Sequence, residues 1–166
     1  MDTFSTKILK ELLPAEKELP APAAAKHQRQ GAVDHWTRAI LLERGAYLGK
    51  LARHGDGSAS ETLKEYPQHC AMLSFRARDG VAEVHENFAD VFYVLDGCAT
   101  LVTGGTVTGA ARSGPGEIRG ASIVGGARQQ LRAGDVAHVP AGQPHQMLVA
   151  GENTVTCLVL KVQENS

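Results

Sequence analysis

The stretch GDVAHVPAGQPH, residues 134–145, decides the fold, because it reads in order as a turn, a strand, a second turn and a histidine. Gly134 predicts the first turn, since glycine adopts positive φ at little cost. Residues 136–139 are apolar and partly β-branched, which predicts a buried strand. Pro140 ends that strand, and His145 begins the next one. A histidine held behind two turns has little freedom, which suits a metal ligand or a general base.

The spacing G-x5-P-x-G-x2-H of this stretch resembles the second sequence motif of the cupins, which are small β-barrels of the jelly-roll type. Gly134, Pro140, Gly142 and His145 fall on the pattern, whereas Val149 replaces an Asn often found there. The resemblance implies an all-β fold, a double-stranded β-helix (jelly-roll) cupin barrel, with His145 binding a divalent metal inside it. Taken alone, His145 would also suit a turn-anchoring or buried neutral histidine.

The end of the first cupin motif, G-x5-H-x-H-x3,4-E-x6-G, is matched here with changed residue types, whereas its leading Gly is not in register, since Gly80 lies too close to Glu83. Asp90 stands seven positions before Gly97, in the place of the family's Glu. Counting back from Asp90 in this register places His85 at the second histidine and Glu83 at the first. A second register, with His85 first and Asn87 second, stays open. The resemblance therefore implies that Glu83, His85 and Asp90 join His145 in a metal site.

Strand geometry supports this grouping, because alternate side chains of a strand point the same way and Glu83 and His85 are two residues apart. If the strand after His145 lies opposite, two imidazoles and one or two carboxylates meet. That mixed set suits Fe, Mn, Zn or Ni and does not choose among them. Asp90 is one methylene shorter than Glu, so it is either a ligand or a residue that orients one. A carboxylate not bound to metal, Glu83 or Asp90, is the predicted general base.

The alternative for these residues is purely structural, with Glu83 and His85 as a solvent-facing pair and Asp90 as a turn residue. For a substrate pocket, residues 68–76 alternate in polarity, and His69 shares the parity of Phe75. An apolar lining would favour a partly hydrophobic substrate. The residues predicted to line the pocket are His69, Phe75, Phe92 and Met147.

The resemblance covers residues 68–162 and leaves the N-terminal third outside it. Residues 1–32 are predicted to form a short helix and a linker, and residues 33–166 a single cupin β-barrel domain. Within that domain, early strands are expected near residues 39–43 and 46–52.

The glycine-rich segment of residues 104–130 is expected to be largely irregular, with one short strand at 122–124. The candidate functional residues of this segment are Glu117 and Arg119, for which a solvated structural role is favoured. Residues 96–97, Asp-Gly, predict a hairpin turn.

Composition excludes several classes of partner. The 166 residues carry 17 Lys and Arg against 18 Asp and Glu, a net charge of −1, so neither a nucleic-acid footprint nor a polybasic membrane patch is present. No apolar run reaches the length of a membrane span. Three scattered cysteines and an N-terminus without the pattern of a secretory signal predict free thiols and a cytoplasmic protein.

Two functions of different classes follow from the resemblance. The first is a metal-dependent enzyme of the dioxygenase, isomerase or lyase type, acting on a small organic molecule in the barrel pocket. The second is a non-catalytic module that binds or senses a small molecule, with weak or absent metal, which the altered first motif favours. The resemblance also implies a homodimer.

Overall fold

The computed structural model describes residues 33–164, so the helix and linker predicted for residues 1–32 lie outside the described residues. Residues 33–164 form one helix and twelve strands. Among them, no helix is both long and apolar enough to span a bilayer. The elements are α1 Arg38–Arg53, β1 Ser58–Glu65, β2 His69–Arg76, β3 Ala82–His85, β4 Phe88–Thr103, β5 Thr106–Thr108, β6 Ala111–Gly114, β7 Glu117–Gly120, β8 Ser122–Val124, β9 Ala127–Arg132, β10 Val136–Val139, β11 His145–Leu148 and β12 Val155–Gln163.

The strands form a curled antiparallel sheet in the order β1-β2-β12-β4-β11-β3-β7-β6, with β9 and β10 also pairing with β4. Strands β5 and β8 make a separate two-stranded sheet. The prediction of an all-β double-stranded β-helix is confirmed. The strands predicted on either side of the 140–144 turn are β10 and β11, and β11 begins at His145.

Strand β4 is 16 residues long and crosses from one half of the barrel to the other. Its first part pairs with β10 and β12, and its last part with β9 and β11. The crossing lies at Gly97, which has φ +78° and whose added Cβ would lie 2.0 Å from the Thr154 carbonyl oxygen. The predicted hairpin turn at 96–97 is therefore wrong: the glycine bends one continuous strand.

Helix α1 occupies the region where two strands were expected, so that prediction is wrong. The side chain of Thr37 caps the helix by accepting a hydrogen bond from the backbone N–H of Ile40. Leu41, Leu48 and Ala52 are buried along one face, at helical spacing.

Two glycines inside α1 allow it to lie close to the barrel. A Cβ added to Gly45 would lie 2.7 Å from Cγ2 of Thr156, and one added to Gly49 would lie 3.1 Å from the ring of Phe75. Glycine lowers helix propensity, which is why this segment does not read as a helix in the sequence. Here the absence of a side chain at both positions allows the helix to pack closely on the barrel.

The apolar residues form two clusters, one on each side of the sheet. The inner cluster fills the barrel beyond the site and includes Val94, Leu101 and Val159. The outer cluster lies between α1 and the sheet and includes Leu48 and Leu73. The barrel interior is therefore free to hold polar groups at one end, while the helix covers the outer face.

Candidate metal centre

The backbone pairing of β3 and β11 brings the predicted site residues together. His145 is the cross-strand partner of Glu83, so the two strands are direct neighbours rather than opposite walls. His85 lies two residues further along β3, on the same side as Glu83. Asp90 enters from the start of β4, and its side chain is 3% exposed. Strand alternation thus turns all four side chains toward one point.

The four side chains each offer one donor atom, and these atoms lie within 4.8 Å of one another. Nε2 of His85 is 3.3 Å from Oε2 of Glu83 and 3.3 Å from Oδ2 of Asp90. Nε2 of His145 is 3.4 Å from Oδ2 of Asp90 and 3.8 Å from Oε2 of Glu83. The two rings are tilted by 52° with centroids 5.2 Å apart. The solvent-facing alternative for Glu83 and His85 is therefore wrong.

In both histidines the Nδ1 atom points away from the cluster and makes a hydrogen bond, which leaves Nε2 as the nitrogen that faces the carboxylates. Nδ1 of His145 lies 3.1 Å from the backbone oxygen of Gln143, which can only accept, so Nδ1 carries the proton. Nδ1 of His85 similarly donates to the carboxylate of Glu117 at 2.8 Å. Nε2 of His145 is buried and has no hydrogen-bond partner among the described residues. Such a lone pair, buried and aimed at carboxylates, is what a metal-binding imidazole presents.

Three cross-strand pairs surround the four donors with complementary groups. Glu117 on β7 lies opposite His85, and Arg119 lies opposite Glu83 with Nη1 2.6 Å from Oε2. These contacts correct the expectation that Glu117 and Arg119 are solvated, since the glycine-rich segment folds into strands β5 to β9 and not into irregular loops. Glu117 and Arg119 are two residues apart, as Glu83 and His85 are, and this shared spacing is the sequence pattern that could have identified them as site residues.

The third pair involves Lys161, which sequence reasoning missed. Lys161 on β12 is the cross-strand partner of Asp90, and its Nζ lies 2.8 Å from Oδ1 of Asp90 and 2.8 Å from Nε2 of His85. A lysine inside the apolar run of β12 was the available signal. Because the Nζ–Nε2 contact joins two nitrogens, one of them must accept the other's proton.

Burial and the neighbouring charges shift the pKa values of the ionisable groups in opposite directions. Burial raises the pKa of Glu83, but the hydrogen bond with His85 and the Arg119 guanidinium lower it to about 2. Burial also raises the pKa of Asp90, yet the adjacent rings of His145 and His85 and the Lys161 ammonium hold it well below its usual range. Burial lowers the pKa of His85, but the carboxylates of Asp90 and Glu83 raise it to about 9. Both carboxylates are therefore charged at neutral pH.

The donor set can be compared with what a divalent ion requires. A tetrahedral ion with bonds of about 2.1 Å separates its ligand atoms by about 3.4 Å, near the measured distances of 3.3 to 3.8 Å. The carboxylates of Glu83, Asp90 and Glu117 are matched in number by the cations of Arg76, Arg119 and Lys161. Two imidazoles with carboxylates suit Fe, Mn, Zn or Ni. The four residues thus form a candidate metal-binding group.

The cluster opens onto a cavity of about 210 Å³ inside the barrel. Phe92 and Met147 line it, and Glu83, Asp90 and His145 lie on its wall. Other lining residues are Ser60, Met72, Ser74, Arg76, Val81, Arg119, Gln146, Val155, Cys157, Val159 and Lys161.

Two residues assigned to the pocket do not line this cavity, and the assignment is corrected. His69 is exposed and stacks on Tyr66, with ring centroids 4.3 Å apart. Phe75 packs in the outer cluster, beneath helix α1. Both share the parity of Leu73, which is fully buried against the helix. The apolar face of β2 therefore points to the helix, and its other face points into the barrel.

The curled antiparallel sheet with an inward polar cluster defines a small β-barrel that contains a candidate metal-binding group. The family model described as "Cupin domain" matches residues 116–161, which include the second motif. The resemblance to the cupin superfamily is thereby confirmed, and the barrel has the double-stranded β-helix fold. No curated protein sequence matches the chain.

Several solved structures are similar to the chain in fold. The protein TT1209 from Thermus thermophilus has a TM-score of 0.51 at 20% identity, covering 71% of this chain and 95% of that one. The DMSP lyase DddQ from Ruegeria pomeroyi has a TM-score of 0.48 at 17% identity, covering 64% of this chain. The match spans only 47% of the lyase chain. KdgF from Halomonas sp. has a TM-score of 0.47 at 14% identity, and the match covers 67% of this chain and 84% of the KdgF chain.

Proposed function

We propose that this protein is a metal-dependent cupin enzyme that converts a small organic molecule held in the barrel cavity. The observation that carries the proposal is the buried Nε2 of His145, which has no hydrogen-bond partner within residues 33–164 and faces two carboxylates on the cavity wall. Leaving such an atom unpaired costs stability unless a ligand satisfies it. A divalent ion satisfies the nitrogen and both carboxylates together.

In this proposal His85, His145 and Asp90 hold the ion, with Glu83 as the fourth donor. Oδ2 of Asp90 is nearly equidistant from the two Nε2 atoms, at 3.3 and 3.4 Å, which supports a ligand role despite its shorter side chain. Oε2 of Glu83 is shared with Arg119, which makes it the weaker ligand. When bound, the metal would supply Lewis acidity at the cavity wall.

The remaining residues of the centre supply proton donors and acceptors. When Glu83 is not bound to the metal, its ionised carboxylate faces the cavity and is placed to accept a proton from a bound molecule. Lys161 also faces the cavity and donates to Oδ1 of Asp90. Of the reaction types that the resemblance implies, these groups favour isomerase or lyase chemistry, because those reactions move a proton.

Elemental analysis tests the metal centre directly. The protein is purified, reconstituted separately with Mn, Fe, Zn and Ni, and compared with His85→Ala and His145→Ala. His138→Ala is the matched control, because His138 is 55% exposed and outside the cluster. We expect about one metal per chain in the wild type and the control, and little in the other two variants. Equal content in all four proteins would refute the centre.

A second candidate function is non-catalytic binding of a small molecule. It is favoured by the position of Lys161, whose Nζ already supplies a cation to Asp90 and His85 within the cluster. Isomerase and lyase activity would be sought by NMR of a small-molecule mixture incubated with the metal-loaded protein, and oxygenase activity by O₂ consumption. Binding without turnover in the loaded protein favours this second function.

A further inference from the structure

We propose that the cavity contains a subsite for the carboxylate of a small organic acid, formed by Arg76, Ser60 and Ser74. The inference deepens the proposed function, on which it rests for the fate of the bound acid, by naming the substrate class. It concerns strands β1 and β2, which contribute none of the four candidate metal ligands.

Backbone pairing places the three side chains side by side. Ser60 on β1 is the cross-strand partner of Ser74 on β2, and Arg76 lies two residues after Ser74 on the same face. All three line the 210 Å³ cavity. They also line a second cavity of about 230 Å³, together with Asp56 and Ser58. The three residues therefore form the boundary between the inner cavity and the second one.

Arg76 lacks a close partner for its charge. Its nearest carboxylate oxygen is Oε1 of Glu83 at 3.8 Å, and its guanidinium makes no hydrogen bond within residues 33–164. The charge of Glu83 is already compensated at its other oxygen by Arg119, at 2.6 Å. Because the Arg76 side chain is only 28% exposed, its donors are partly removed from water without replacement. The neighbouring hydroxyls of Ser60 and Ser74 likewise make no hydrogen bond in the described chain.

The guanidinium of Arg76 is also held in place by the backbone. A Cβ added to Gly80 would lie 3.1 Å from Cζ and from Nη1 of Arg76, so the guanidinium packs directly on that glycine. The backbone N–H of Gly80 donates to the carbonyl of Met147, which fixes the connection between β2 and β3. A planar guanidinium with fixed orientation binds a carboxylate through two parallel hydrogen bonds.

The position of Glu83 sets the direction in which a bound acid would lie. Its Oε1 faces Arg76, and its Oε2 faces the two histidines, so one carboxylate separates the subsite from the metal centre. An acid held by Arg76 would extend its carbon chain along Phe92 and Met147 toward that centre. The ligand class is therefore a short-chain acid with an apolar body.

The test uses 4-methylpentanoate and its neutral isostere 4-methylpentanamide as probes, titrated into 15N-labelled protein and followed by NMR. We expect the acid to bind at least tenfold more tightly than the amide, with shifts at the amides of Ser60 and Ser74. Arg76→Met should abolish this preference. Arg128→Met, which removes an exposed arginine from β9, should keep it. Equal binding of both probes, or an unchanged preference in Arg76→Met, would overturn the subsite.

Two further arms keep the result interpretable. Arg76→Lys retains the charge but not the paired donors, so we expect a weakened preference in a folded protein even if Arg76→Met unfolds. The titrations are repeated after metal removal, with the metal content of each sample measured. Loss of acid preference in Arg76→Met with metal retained isolates the subsite. A wild type that prefers the acid but binds no metal would refute the proposed function and leave the subsite standing.

Discussion

The two faces of strand β2 lie in different environments, although both are covered. The outer face packs against helix α1, and Leu73 at its centre is fully buried. The inner face borders the cavity, and Arg76 on it is 28% exposed. The outer residues are Ala71, Leu73 and Phe75, and the inner ones are Met72, Ser74 and Arg76.

In strand β2 the apolar face therefore packs against the helix, and the more polar face lines the barrel interior. The dry interface in this region is the one beneath the helix, where Gly45 and Gly49 permit close packing. The barrel interior carries the charged side chains of the candidate metal-binding group. Stability should therefore depend on the outer face, and binding on the inner one.

Leu73→Ala should produce the largest loss of stability. It removes a fully buried side chain from the outer cluster, which costs about 2 to 5 kcal/mol of unfolding free energy. Ser74→Ala, on the inner face, should change it by less than about 1 kcal/mol. Chemical denaturation measures both. Comparable losses would contradict the separation of the two faces.

Raising the pH should weaken the metal-free protein through His85 in the candidate metal centre rather than through the outer face of β2. Because the pKa of His85 is raised to about 9 from 6.5, its protonation stabilises the fold fully below about pH 6.5, and this contribution is lost as the pH rises through 9. The loss is on the order of 3 kcal/mol. Denaturation across pH 6 to 9 should show it in the wild type and in Leu73→Ala, but not in His85→Gln. Above pH 9 the buried thiol of Cys157, whose pKa is raised to about 12, adds a further loss in all three proteins.

Gly45→Ala should destabilise the outer face moderately. The added Cβ would lie 2.7 Å from Cγ2 of Thr156, and the resulting strain of about 1 to 3 kcal/mol exceeds the gain of about 1 kcal/mol in helix propensity. Gly55→Ala is the control, since the nearest atoms to its added Cβ lie 4.0 Å away. A higher melting temperature for Gly45→Ala would show that the helix does not lie this close.

Lys161→Met should strengthen metal binding by about tenfold, because it removes a cation 2.8 Å from two candidate ligands, Asp90 and His85. Lys50→Met, at the exposed end of α1, should leave the affinity unchanged. Competition with a chelating dye measures both. Weaker binding in Lys161→Met would mean that the lysine supports the metal rather than competing with it.

The sequence predicted much of the way in which Glu83, His85, Asp90 and His145 come together. The two turns before His145 fix the start of β11, and the period of two in β3 aligns Glu83 with His85. The cupin resemblance then supplied the pairing of two motifs that lie far apart in the chain. Asp90 was placed correctly near the histidines, although its role stays a prediction.

The rest depended on pairings that no local pattern contains. Glu117, Arg119 and Lys161 reach the site only because β7 pairs with β3 and β12 pairs with β4. Helix α1 was missed because glycines needed for packing look like helix breakers. His69 and Phe75 were assigned to the wrong face because parity groups residues without saying which side is the interior.

Strand β4 carries a topological consequence for engineering this chain. Since Phe88–Thr103 is hydrogen-bonded to four other strands, new termini within it would sever both halves of the barrel at once. New termini at Gly109 would cut a tight connection whose glycine has open space around it. A circularly permuted version opened there could be tethered or fused at a point remote from the central strand.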